Sequence, residues 1–209
     1  TFDNGDNKAY TFSAYVTYPL STKLQLLGNY SYRTTNNSVT DVSANANNLS
    51  FGLSYQLIPN LTLKGIAGLN SAEAENNDYN QLLADVSLNI KTFKLQTLEL
   101  GYKRQVESFN AELLDRELVQ NNYYANYNLS TNFNLGWYTQ LIHTSQNDGN
   151  TRNLLFTSLY YNILPKPGLK AGVNYQHITF KDQVPTIYFS PEKFNAYEVF
   201  INLIKDEAV

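Results

Sequence analysis

The chain contains no cysteine and no methionine, only two histidines and one tryptophan, and few charges: 16% of its 209 residues. Without cysteine there is neither a disulfide framework nor a thiolate metal site. The two histidines, His143 and His177, stand apart from any His/Asp/Glu cluster with ligand spacing, so no metal and no cofactor is expected. Globular domains average roughly 25% charged residues, so this surface is neutral-polar rather than ionic. The net charge is −3 and no basic run is present, which argues against nucleic acid as a partner. No apolar run approaches the roughly 18 residues a membrane-spanning helix needs. A signal peptide and an initiator methionine are also missing, so the expectation is a processed chain or a fragment.

What is present is alternation. Tyr123, Ala125, Tyr127 and Leu129 alternate with Tyr124, Asn126 and Asn128. After the polar turn Ser130-Thr131-Asn132, Phe133, Leu135, Trp137, Thr139 and Leu141 alternate with Asn134, Gly136, Tyr138 and Gln140. Successive side chains of a strand point to opposite faces, so these runs read as a β-hairpin with one apolar, aromatic face and one polar face. The same pattern recurs from residue 8 to residue 203, giving about eleven strands in a single domain spanning residues 1–209. The passage Arg104–Val119 is ambiguous between two helical turns and a long loop.

Short turns near residues 21, 59, 92, 131 and 166 alternate with longer polar stretches at 34–47, 70–78, 104–119, 145–152 and 181–193. All short turns therefore fall at one end of the sheet, as in transmembrane β-barrels. The apolar faces carry no Asp, Glu, Lys or Arg, while Arg33, Lys64, Asp85, Glu99, Lys103 and Glu198 sit on the polar faces. A charge facing lipid at mid-membrane costs on the order of 2–4 kcal/mol, which accounts for the segregation. Tyrosines near strand ends, including Tyr18, Tyr30, Tyr32, Tyr55, Tyr102 and Tyr175, suit interfacial girdles. A soluble β-sandwich or lipocalin-like barrel would show shorter strands, ionic outer faces and no loop asymmetry. The fold expected is all-β, an antiparallel up-and-down transmembrane β-barrel in the outer membrane of a Gram-negative bacterium. The first strand starts and the eleventh ends on opposite sides, whereas a complete bacterial barrel has an even strand number. The chain is therefore expected to be part of a larger barrel.

Two segments carry a family resemblance. Ile187-Tyr188-Phe189-Ser190-Pro191-Glu192 resembles the Tyr-Phe-Ser-Pro signature late in the barrels of bacterial exopolysaccharide exporters. The loop Asp148-Gly149-Asn150-Thr151-Arg152 resembles their Asp-Gly-Asn-x-Arg segment. The family includes the cellulose-synthase C subunit and the poly-N-acetylglucosamine porin, whose large members place tetratricopeptide repeats before a sixteen-strand barrel. The resemblance implies further strands after Pro191 and a polysaccharide as cargo. Read as residues alone, Asp148-Gly149 is a turn signal and Pro191 fixes the backbone where a loop folds back.

The function expected is a passive conduit for an exported polysaccharide. Its lumen would be lined by Tyr15, Arg33, Lys64, Asp85, Glu99, Lys103, Tyr124, Tyr138 and Glu198. Tyr15, Tyr124 and Tyr138 offer rings for sugars, or simply pack. Membrane lipid and other subunits of an envelope complex are the remaining expected partners. The alternatives are a scaffold barrel with a plugged lumen and, third, a barrel enzyme acting on lipid or glycan. Strand phase puts both histidines on the outward face, away from any nucleophile or carboxylate, so no catalytic residues are expected.

Overall fold

The computed structural model describes residues 2–3, 7–93, 95–131, 134–164, 168–184 and 188–203. Apart from one helical turn, the chain is a single antiparallel sheet in which every strand pairs with its sequence neighbours. A two-residue strand β1 (Phe2–Asp3) precedes β2 (Asn7–Pro19), β3 (Leu24–Asn37), β4 (Val42–Ile58), β5 (Leu61–Ala74), β6 (Asp78–Phe93) and β7 (Gln96–Val106). The helix α1 (Ala111–Asp115) separates these from β8 (Val119–Ser130), β9 (Leu135–Gln146), β10 (Thr151–Leu164), β11 (Leu169–Phe180) and β12 (Lys193–Leu203). The all-β, up-and-down expectation is met, with eleven long strands and the short β1 among the described residues. Among the described residues no ladder joins β12 to β1 or β2, so the sheet keeps two edges.

Two of the polar stretches expected as loops, 34–47 and 70–78, are largely strand. The β3–β4 ladder runs to Asn37 opposite Val42, and β4–β5 pairing reaches Ala44 opposite Ala74. Backbone ladder bonds form whichever face a side chain occupies. Here Asn, Ser, Thr and Ala on both faces erase the apolar signal without ending the strand. The turn at residues 38–41 closes on Asp41 at φ 57, a left-handed position that Asp tolerates. Asn132, Phe133, residues 165–167 of the turn expected near 166, and Ile187 of the motif lie outside the described residues.

The ladders are staggered. A row perpendicular to the strands starts at Thr17, near the short-turn end of β2. It crosses Ile66, Asp85 and Lys103, and arrives through Arg152 at Phe180, the long-loop end of β11. The slip is about one residue per strand; at ~3.3 Å per residue and ~4.8 Å between strands the tilt is about 35°, the range of closed barrels. The sheet also curves around its polar face. A cavity of about 520 Å³ is walled by residues from β2 through β7, from Tyr15 and Asn29 to Asp85 and Lys103. On a flat sheet those outer strands would stand roughly 24 Å apart. Glu107 interacts electrostatically with both Arg33 on β3 and Arg152 on β10, which also requires curling. Two polar-face glycines on β4 and β5 permit the bend. A Cβ at Gly52 would stand 2.3 Å from the Gly65 carbonyl oxygen, and one at Gly68 2.5 Å from that of Leu49.

The other face is an exposed apolar belt, with Phe51 60%, Leu82 68% and Val199 83% accessible. On β4 it runs from Leu49 to Leu57, about 22 Å along the axis at that tilt. Towards the long-loop ends the belt gives way to a repeated pairing across neighbouring strands. Tyr30 donates to Asn47 (3.0 Å), Tyr32 to Asn45 (3.2 Å), Tyr102 to Asn121 (2.7 Å) and Tyr175 to Asn195 (2.9 Å). His143 pairs with Asn153 and His177 with Asn195, both at 2.8 Å. Each ring keeps an apolar body towards the belt and satisfies its polar tip on an asparagine. The outward phase expected for both histidines is what the register gives.

Candidate functional site

The polar face forms adjoining cavities. Lys64 and Asp85, diagonal neighbours across β5 and β6 two residues out of direct register, form an ion pair of 2.8 Å. With Tyr15, 76% exposed on β2, and with Lys103 they line the 520 Å³ cavity. A second cavity of about 370 Å³ continues past Asp85 and Lys103 to Glu99, Tyr124, Asn126 and Gln140. There Glu99 accepts from Asn126 (3.2 Å) and from the Tyr124 hydroxyl (3.3 Å). The Asn126 carbonyl accepts from Gln140 (3.0 Å) and from Tyr138 (3.5 Å). A third cavity of about 460 Å³ holds Tyr138, Phe156, Tyr160, Asn174, Glu198 and Phe200. Glu198 accepts from Asn174 at 2.6 Å. The nine lumen candidates thus all fall on one face, and all but Arg33 line these three cavities. Glu99 takes amide and phenol donors, while Lys64 and Asp85 take each other.

Arg33 serves a different element. Its Nη2 donates to the Phe109 carbonyl at 2.8 Å, and its Nη1 to Thr11 at 3.1 Å. Phe109 lies in the segment 107–118, which resolves the ambiguous passage as a loop with one helical turn. Asn110 caps α1 by accepting from the Leu113 N–H at 3.0 Å. Leu114 and Ala111 are fully buried against Ala44, Ala46, Ala72, Tyr79, Val106 and Val119. Of these, Ala44, Ala46, Ala72 and Tyr79 belong to the polar face, so the segment folds inward over the long-loop ends of β4–β6. Three carboxylates anchor it. Glu112 accepts from Asn37 and Thr40, Asp115 from the backbone and side-chain amides of Asn76, and Glu117 from Asn77 and Gln81. This insertion was missed in the sequence. Its signal is the run of small apolar residues, Ala44, Ala46 and Ala72, at positions whose phase should be polar.

The two motif segments meet. The Tyr188 hydroxyl lies 2.8 Å from Asp148 Oδ2 and 2.9 Å from Gln146 Oε1, and accepts from Asn150 Nδ2 at 2.8 Å. Asn150 also bridges to the Asp182 backbone in both directions, at 2.9 Å each. Ser190 accepts from the Val184 N–H at 2.7 Å, and the Pro191 carbonyl from the Phe180 N–H at 3.3 Å. Gly149 holds the left-handed φ of 86 that lets the β9–β10 turn present Asp148 and Asn150 together. Phe189 is exposed and stacks edge-on against Phe194. Arg152 departs from the loop expectation: it lies in β10, and its guanidinium reaches Thr144 Oγ1 at 3.3 Å on the polar face. Burial, then the carboxylates of Asp148 and Asp182, push the Tyr188 phenol up to about 12 against the opposing bond from Asn150.

Asn147 ties this network to the inserted segment, donating to the Glu117 carbonyl and accepting from the Val119 N–H, both at 2.8 Å. Among the described residues no group of three His, Cys, Asp or Glu side chains is placed to hold a metal ion. No protein-family model matches the chain, and no curated protein matches it either.

Proposed function

We propose that this chain is the wall of an outer-membrane β-barrel conduit in a Gram-negative bacterium, with a polysaccharide as cargo. The observation that carries the reading is the separation of faces along staggered strands. The exposed belt of about 22 Å suits the roughly 25 Å apolar band of such barrels, and the charges and amides gather on the curved opposite face. The Tyr–Asn and His–Asn pairs suit a headgroup boundary, where amphipathic rings settle. Neutral Asn, Gln and Tyr groups offer weak, exchangeable hydrogen bonds, which a conduit needs so that its cargo can leave. The resemblance to exopolysaccharide exporters supplies the cargo. It rests on the Asp148–Arg152 and Tyr188–Pro191 segments, and their bonding to each other supports reading them as one unit.

A second reading is a scaffold barrel with a plugged lumen, favoured by the inward segment 107–118. Planar-bilayer conductance of the complete gene product separates the two. A large open-channel current that a soluble glycan blocks supports the conduit. A barrel that does not conduct and ignores glycans refutes it in favour of the scaffold.

A further inference from the structure

Three polar-face glycines have an aromatic ring where their side chain would be. A Cβ on Gly101 would stand 2.3 Å from the Tyr124 ring, one on Gly136 2.1 Å from the Tyr160 ring, and one on Gly172 2.7 Å from Phe200 Cζ. The arrangement is regular. In each case an aromatic residue of β8, β10 or β12 leans over its register partner on the preceding strand, β7, β9 or β11. A side chain on a sheet ordinarily stands away from it. A missing Cβ lets the ring lie down on the backbone, with one face covered and the other turned to the lumen.

We infer that Tyr124, Tyr160 and Phe200, laid over Gly101, Gly136 and Gly172, form a stacking tract for neutral pyranose rings. The inference rests on the conduit reading and names where, and with what class of sugar, the cargo is held. Rings lying flat match the flat apolar face of a pyranose, while their surroundings match its hydroxyls. Asn126 and Gln140 sit beside Tyr124, and Asn174 lies in the cavity shared by Tyr160 and Phe200. Tyr138 and Phe156, 6.1 Å apart, bridge the two groups. The charges along the tract balance. Glu99 bonds Tyr124, Glu198 lies in the Phe200 cavity, and Lys170 Nζ stands 5.3 Å from the Tyr160 ring centre. Asp85, Lys103 and Arg152 also line the Tyr124 cavity, so an anionic glycan would meet three carboxylates against three cations and gain no net attraction, whereas a neutral one meets donors and acceptors throughout.

The test titrates cellohexaose, and separately an alginate hexamer, into the complete gene product in detergent by calorimetry. The variants are Tyr124→Leu, Tyr160→Leu, Tyr124→Phe and Tyr160→Phe, with folding checked by heat-dependent gel migration. Cellohexaose is expected to bind wild type and both Phe variants within about twofold, and each Leu variant about tenfold more weakly, the loss of one ring contact. Absent binding to wild type, Leu variants that bind like wild type, Phe variants as weak as Leu, or a preference for the alginate hexamer would each overturn the tract. Conductance of the same preparations keeps the two claims apart. A conducting channel with unaffected Leu variants sinks the tract alone, and a non-conducting barrel sinks the conduit.

Discussion

Replacing Leu114 by alanine tests whether segment 107–118 is a docked plug. Leu114 is fully buried, Ala111 likewise, and Leu113 is 3% exposed, so the helix contributes most of the apolar contact that holds the segment down. Truncating a fully buried leucine costs about 2–5 kcal/mol. Taking ~3 kcal/mol, and assigning it to docking because the ladders beneath are held by their own hydrogen bonds, the undocked population rises about a hundredfold. Arg116, the exposed residue that ends α1, reports this directly. Trypsin needs an extended stretch on both sides of the scissile bond, which the docked helix denies it. When closing outpaces cleavage, the cutting rate follows the open population. Limited proteolysis should therefore show cleavage after Arg116 accelerated about a hundredfold in Leu114→Ala, and the product should vanish in an Arg116→Gln background. Asp115→Asn gives an independent check. The carboxylate accepts two Asn76 amides at 2.7 and 2.9 Å, and an amide can accept only one of them. Its expected cost of roughly 1–3 kcal/mol raises the rate by about ten- to a hundredfold. Rates within twofold of wild type in both variants, with the barrel folded, would refute the docked segment.

Other perturbations probe the remaining layers. Leu53→Arg places a cation mid-belt and should lower folding stability in lipid vesicles by about 2–4 kcal/mol, while its polar-face neighbour Ser54→Arg should change it little; equal effects would remove the lipid-facing assignment. Gly68→Ala drives a Cβ to 2.5 Å from the Leu49 carbonyl and should destabilise the barrel in urea, whereas Gly65→Ala, with nothing within 4 Å of the added carbon, should be nearly neutral. Tyr188 should ionise near pH 12 instead of its ordinary 10.0, seen as a 295 nm absorbance step that Tyr188→Phe removes. An acid whose folded pKa is raised stabilises the fold fully below its unfolded value. The contribution of this latch to holding the 181–192 loop should therefore be complete below pH 10 and fade between 10 and 12, as measured by proteolysis at the exposed Lys181.

Faces were legible in the sequence because a strand's period of two survives any choice of side chain within a class. Leu49, Phe51, Leu53, Tyr55 and Leu57 could belong to one face only, and so could Lys64, Asp85 and Glu99 on theirs. Strand ends were not legible. From Thr34 to Asn48 both faces carry Asn, Ser, Thr or Ala, so the ladder continues where the hydrophobic signal stops. Partners across long separations were hidden for another reason. Tyr188 and Asp148 stand 40 residues apart in the chain, in loops that only the pairing of β10 with β11 brings together. Glycine's role was hidden as well: Gly136 shows in the sequence only as a small residue of the polar face, yet it and Gly101 each form the floor under a ring of the next strand.

The height of each feature along the strands decides what the plug can do. Strands that outrun the apolar belt carry Ala44, Ala46 and Ala72 beyond Leu49 and Leu69, towards the long-loop end. Segment 107–118 docks at that level, in the mouth of the proposed conduit. The rings of Tyr160 and Phe200 lie nearer the short turns, on rows that cross Gly136 and Gly172. A plug that filled the barrel at the height of those rings would leave no role for a sugar tract. A plug confined to the mouth leaves the tract wet and makes passage depend on one local equilibrium. The conduit and the scaffold then differ by the free energy of undocking a single helical turn, with Leu114, Glu112, Asp115 and Glu117 as its principal holders. Conductance of Leu114→Ala measures that difference. A current well above that of wild type identifies segment 107–118 as a gate, and an unchanged current with the Arg116 site already exposed to trypsin shows that the segment does not limit the lumen.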